Sequence, residues 1–241
     1  MSLSPWNPNP APQPLSLVSR ILGQQAAAPV ALPVTSRPST GFDRLTLATP
    51  ASLFQSVMPT VSTSFAAPGE SPAQQLQRLG RKYGVTLKAD LNKAQSDVIK
   101  AIIRHKAAEY GIPEHVALGI GGNESGWKMW KNVASGELVA GRNVRDGVLK
   151  STDWGAMQIN DKAHPKAFPR VKQDLEYNID YAMRYLARQR QSIQGDLGHG
   201  LGDWDRTVAS YNLGHNPKTT RGYEIASRYV GHVAKRADQF A

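Results

Sequence analysis

His115-Val-Ala-Leu-Gly-Ile-Gly-Gly-Asn-Glu-Ser-Gly-Trp127 is the stretch on which the reading of this chain turns. Pro113 stands just before it, at a position where a first helical turn tolerates a missing N–H, so a helix is expected from there to Glu124-Ser125-Gly126. The helix is apolar and ends in a carboxyl group. Apolar neighbours disfavour the charged form of a carboxyl, so Glu124 is a candidate general acid with a raised pKa. The plainer reading is a solvated glutamate at a helix end. Gly119, Gly121 and Gly122 lie on the helix and do not follow a strand, which argues against a phosphate-binding loop and for close packing or substrate approach.

Helical patterns extend in both directions. Ser71-Pro72 reads as an N-cap followed by a first-turn proline, opening a helix through Leu76 and Leu79 towards Gly84. Val98, Ile99, Ile102 and Ile103 form the apolar stripe of a helix over about 93–110, stopped by Gly111. Residues 128–153 are rich in Gly, Asn and Asp with short alternating runs, and read as a loop or β-hairpin. A long helix is expected over about 173–193, a loop over 195–202, and helices over about 203–212 and 223–240. The expected fold class is mainly α, with a small loop or β-hairpin insertion.

Residues 1–70 have another character. Twelve of the 16 prolines fall within residues 1–72, among Ser, Thr, Ala and Gln, and residues 1–70 carry a net charge of only +1. Such a composition does not bury a core, so an extended or disordered arm is expected, with 71–241 as the folded domain. Short apolar islands at Leu15–Val18, Ile21-Leu22 and Leu45–Phe54 make the arm a candidate docking segment; the alternative is a plain linker. The remaining +9 of the total +10 lies in the domain and suits an acidic partner. Cysteine is absent, which excludes disulfides and thiolate chemistry. No apolar run approaches the ~20 residues of a membrane span, and the N-terminus does not read as a signal peptide.

Four further segments follow Glu124-Ser125. They are Trp154-Gly-Ala-Met-Gln-Ile-Asn160, Tyr177-Asn-Ile-Asp-Tyr-Ala-Met-Arg-Tyr-Leu186, Val208-Ala-Ser-Tyr-Asn-Leu-Gly214 and Arg228-Tyr-Val-Gly-His-Val233. In this order, over residues 113–233, they resemble the soluble lytic transglycosylase family. The resemblance implies a lysozyme-like α-helical fold. It also implies cleavage of the β-1,4 bond between N-acetylmuramic acid and N-acetylglucosamine in peptidoglycan. In that chemistry one glutamate protonates the leaving oxygen, then takes the proton of the sugar's C6 hydroxyl as a 1,6-anhydro ring closes.

Carried over by position, the resemblance makes Glu124 the acid and base and Ser125 its supporting neighbour. Met157 and Gln158 match the segment lining the cleft. Tyr211 matches the tyrosine whose hydroxyl approaches the catalytic carboxyl, Asn212 the asparagine beside it, and Tyr229 the late tyrosine of the cleft. Tyr185 and Leu186 are expected to pack the helix, Asn178 to be a structural hydrogen-bonder, and Met157 and Ile159 are also compatible with plain core. No cofactor is implied. The histidines form no ligand pair at helical spacing, so no metal site is expected.

The chain departs from the family pattern at Gly126, at Leu213 and in an apparent insertion over 136–150. The insertion and its flank carry Glu137, Asp146 and Asp153. Any of these as a second carboxylate would make the reaction a hydrolysis, since ordinary glycosidases work with a carboxylate pair. The leading expectation is a bacteriophage virion protein that opens the cell wall during DNA entry, with residues 1–70 bound to other virion proteins. A phage endolysin or lysozyme-type hydrolase, a secretion-system wall enzyme and an inactive structural or glycan-binding virion protein are the alternatives. DNA contact would suit the charge, but no nucleic-acid motif supports it.

Overall fold

The computed structural model describes residues 69–197, 204–215 and 220–240. The expected arm, apart from Gly69 and Glu70, and part of the expected 195–202 loop therefore lie outside the described residues. Helix α1 (Pro72–Lys82) starts where the sequence places it. The Ser71 hydroxyl accepts from the Gln74 N–H at 3.3 Å, and the Gln74 side chain accepts from the Ser71 N–H at 2.8 Å, a reciprocal capping box. Asp90 caps α2 (Leu91–Glu109) by accepting from the Asn92 N–H at 3.0 Å. Helix α3 (Glu114–Ser125) ends at Gly126, whose φ of 64° closes it with a left-handed residue.

The apolar character of α3 on all sides follows from its place. It packs against α2 and against the last helix, α7 (Thr220–Ala237), and a helix enclosed by neighbours needs no polar face. Gly119 permits the second contact, because a β-carbon there would stand 2.7 Å from the Val233 carbonyl oxygen. Val98, Ile99, Ile102 and Ile103 of α2 are fully buried in the same core, with Leu118 and Ile120 of α3. At about 25 cal/mol per Å2 of apolar surface removed from water, burying each such side chain is worth roughly 2 kcal/mol.

The segment after α3 forms strands. β1 (Trp130–Asn132) pairs with β2 (Glu137–Leu138). β3 (Ala140–Arg145) and β4 (Val148–Trp154) form an antiparallel hairpin, and β5 (Ile159–Asn160) extends it to three strands. Asp146 and Gly147 make the tip with φ of 54° and 73°, the two positive values that a tight two-residue hairpin turn demands.

The helix expected over 173–193 is α5 (Leu175–Leu197), and a short helix that was not expected, α4 (Arg170–Gln173), precedes it. Asp174 separates them. Its backbone is extended, and its carboxylate accepts from the Tyr177 N–H at 3.0 Å, so it ends one helix and caps the next. Helix α5 runs through residues 195–197, where a loop was expected. Helix α6 (Trp204–Leu213) follows, and α7 begins three residues before its expected start. The chain is mainly helical with a small antiparallel sheet, the expected fold class. No helix among the described residues is long and apolar enough to cross a membrane.

Candidate active site

An open cleft of about 890 Å3 runs between the sheet and the helices α5 and α6, within the usual size range for a small-molecule or oligosaccharide site. Glu124, at the last turn of α3, faces it. On the sheet side stand Asn143, Asp153, Gln158 and Asn160; on the helical side, Tyr181, Tyr185, Arg188 and Tyr211. The walls thus offer amides and carboxylates opposite aromatic rings, a mixture suited to a sugar, whose hydroxyls need hydrogen bonds and whose ring faces pack on aromatics.

Glu124 is held in a setting that changes its acidity. Burial pushes its carboxyl up to about 7, and the nearby negative charge of Asp153 pushes the same way. Hydrogen bonds from Tyr229 and Asn123 oppose this without cancelling it. The Tyr229 hydroxyl donates to Glu124 Oε1. Tyr229 comes from α7 and is only 8 % exposed, so the contact between α3 and α7 also sets the position of the carboxyl.

Tyr211 shares the cleft with Glu124 and makes its hydrogen bond to the backbone beside it. Its hydroxyl donates to the Met157 carbonyl at 2.8 Å. The hydroxyl bonded to the carboxyl is that of Tyr229, while Tyr211 stands in the cleft close enough to feel the charge of Glu124. Of the two readings open for Met157, cleft lining and plain core, the structure shows the second: its side chain is fully buried. Its N–H donates to Asn178 Oδ1 at 2.9 Å, while Asn178 Nδ2 donates to the Trp154 and Val171 carbonyls at 3.0 and 3.2 Å. The fully buried Asn178 is thus the structural hydrogen-bonder its position suggested. It ties α5 to the turn before β5.

Gln158 does reach the cleft, in a left-handed backbone conformation with φ of 48°. Its Nε2 donates to the Gly155 carbonyl at 2.8 Å. Ser125 supports the site from behind. Its hydroxyl donates to the Ala156 carbonyl at 2.8 Å and accepts from the Lys128 N–H at 3.0 Å, fixing the end of α3 to the Met-Gln-Ile turn. Asn212 lines the rim and is exposed.

Tyr185, expected to pack the helix, lines the cleft. It meets Tyr211 and His164 edge to face, with ring centroids 6.0 and 4.9 Å away. His164, Tyr181, Asn143 and Asn160 were not singled out in the sequence. Tyr181 and Tyr185 lie four residues apart on α5, a spacing that places two aromatics on one helix face. Of the three candidate second carboxylates, Glu137 pairs with Lys131 at 2.9 Å and is exposed, and Asp146 stands at the hairpin tip with its side chain 89 % exposed. Asp153 alone of the three shares the cleft with Glu124.

A family model for the transglycosylase SLT domain matches residues 101–227, just over half of the chain. The match spans all of α3, the sheet, and α5 and α6, and so contains every cleft residue named above except Tyr229. No curated protein and no solved structure matches the chain. By this match the chain belongs to the transglycosylase SLT domain family.

Proposed function

We propose that this protein is a peptidoglycan lytic transglycosylase that opens the bond between N-acetylmuramic acid and N-acetylglucosamine with Glu124 as its acid and base. Family membership supports peptidoglycan cleavage of this general type. The observation that carries the assignment to Glu124 is its place: a carboxyl pushed up to about 7, at the end of a buried helix, facing a cleft of polar and aromatic side chains. Protonated, it donates to the leaving glycosidic oxygen. As the carboxylate, it then removes the C6 hydroxyl proton of the same sugar, and the C6 oxygen closes on the anomeric carbon. Tyr229 holds the carboxyl, while the turn at Gln158 is braced by Ser125, Asn178 and Tyr211.

Ring closure leaves no free reducing end. Digestion of purified sacculi is expected to release soluble glycan without a matching gain in reducing ends. A stoichiometric gain would contradict the 1,6-anhydro product; sacculi left intact would contradict the activity.

The pH dependence follows from the acid. The proton on Glu124 is needed for the first step, so kcat/KM is expected to fall as pH rises through about 7, tenfold per unit beyond it. A carboxyl at its ordinary value of 4.5 would place that limb near 4.5 instead. A pH profile on soluble, uncrosslinked glycan strands with its alkaline limb near 4.5 would contradict a Glu124 carboxyl raised by burial.

The setting we propose is a bacteriophage particle that carries the enzyme to the cell wall during DNA entry. The composition of residues 1–70 supports a docking arm, and the +9 charge of the remainder suits an acidic wall. Removal of residues 1–68 is expected to spare glycan cleavage, because Glu124, Tyr229 and the residues lining the cleft all lie from position 124 onward, and to abolish incorporation into virions. Truncated protein found at normal abundance in purified particles would refute the docking role.

A further inference from the structure

Asp153, the last residue but one of β4, lies beside the cleft, and side chains from both neighbouring strands converge on it. Its carboxylate accepts from Asn143 Nδ2 of β3 at 2.9 Å and from Asn160 Nδ2 of β5 at 2.7 Å. The same two amides donate to Ser151 Oγ at 3.1 and 2.8 Å. The register makes this convergence: Asn143 stands opposite Ser151, and Asn160 opposite Asp153.

No ion pair among the described residues involves Asp153. The amides orient the carboxylate and leave its charge unneutralised, in the cleft that Glu124 also faces. A glycosidic bond breaking under acid catalysis leaves positive charge on the ring oxygen and anomeric carbon, and a fixed negative charge beside that ring lowers the barrier.

We propose that Asp153 is a second catalytic carboxylate of this cleft, whose charge lies against the sugar ring that becomes positive as the bond opens. The proposal rests on the reading of the cleft as a glycan-cleaving site. Asp153 forms no bond to the sugar and moves no proton; both proton transfers stay with Glu124, so this carboxylate, unlike the nucleophile or water-activating base of a hydrolase, leaves the 1,6-anhydro product unchanged. A purely structural Asp153 would only link β3, β4 and β5.

The two roles separate on Asp153→Asn, which keeps the shape and removes the charge, the exposed Asn143 turning its amide so that its oxygen meets the new N–H. The expected result on soluble glycan strands is a kcat lower by about 100-fold, the scale of losing one electrostatic stabiliser. Glycan affinity, measured in a Glu124→Gln background with and without Asp153→Asn, should remain within about twofold, since the charge matters only as the bond breaks. The alkaline limb of the pH profile should move down, because the charge that helps to raise Glu124 has gone. The groups facing Glu124 from its surroundings are Asn123, Asp153, Tyr211 and Tyr229, and of these only Asp153 is an acid. Asp146→Asn, at the exposed hairpin tip, should keep full kcat.

Wild-type kcat in Asp153→Asn overturns the proposal. So does a fall in kcat accompanied by equal losses of affinity and melting temperature with an unmoved pH limb, which is the structural outcome. If the active wild type releases ordinary reducing ends, the transglycosylase reading fails, while a kcat loss in Asp153→Asn still upholds the second carboxylate. If the wild type releases nothing from glycan, the reading and the proposal fall together.

Discussion

Glu124→Gln is expected to keep the fold and to lower glycan cleavage by about 1000-fold, within the range for loss of a general acid–base group. Gln matches Glu in shape and can still accept from Tyr229, so the α3–α7 contact should survive. What is lost is the transferable proton. Stability should move the other way. Glu124 titrates near 4.5 when unfolded and is pushed up to about 7 in the fold. Between these values the folded chain holds a proton that the unfolded chain has released, so stability falls as pH rises from about 4.5 to about 7. The neutral amide escapes this loss. Thermal melting at pH 8 should therefore show Glu124→Gln at least as stable as the wild type, with any advantage vanishing below pH 4.5. A variant less stable at pH 8 would contradict the account of Glu124 as a carboxyl ionised at a cost.

Gly155→Ala is expected to destabilise the domain by about 4 kcal/mol, near the upper end for single substitutions. Gly155 has φ of 78°, where an L side chain is strained by about 1 kcal/mol. The added β-carbon would stand 2.5 Å from Asn178 Nδ2 and 2.6 Å from the Met129 sulfur. Neither neighbour is free to move. Met129 is fully buried, and Asn178 holds three backbone groups: the Trp154 and Val171 carbonyls and the Met157 N–H. Breaking buried hydrogen bonds costs about 1–3 kcal/mol for each group left without a partner. Urea denaturation measures the effect directly, and a loss below about 1 kcal/mol would show that the turn adapts. Activity should fall with stability, because the displaced turn carries Gln158 and the Met157 carbonyl that receives Tyr211.

Local signals in the sequence served the helices well. Ser71-Pro72, the stripe from Val98 to Ile103 and Gly126 act within one or two turns, and each marks an element close to its observed bounds. The four residues of α4 are too few to show a periodic stripe, while Asp174, three residues before Tyr177, is the cap at which α5 begins. Asp146-Gly147 is a strong hairpin cue within a segment that reads as loop or hairpin.

The cleft was legible where it follows the chain, at Glu124 and Gln158, and not where it depends on register. Whether Tyr211 or Tyr229 meets Glu124 is decided by the packing of α6 and α7 against α3, which no local pattern encodes. Nor did composition mark out Asn143 and Asn160; pairing of β3, β4 and β5 brings both onto Asp153. Met157 left two readings open because its motif neighbours the cleft; its side chain turns into the core.

The central claim is that Glu124 both protonates the leaving oxygen and directs ring closure by the C6 hydroxyl. Mass spectrometry of muropeptides released from purified peptidoglycan by the wild type and by Glu124→Gln tests it most directly. The account predicts wild-type products lighter by one water than hydrolysis products, and none from the variant. Products of the same mass and amount from Glu124→Gln, or wild-type products carrying the added water, would contradict it.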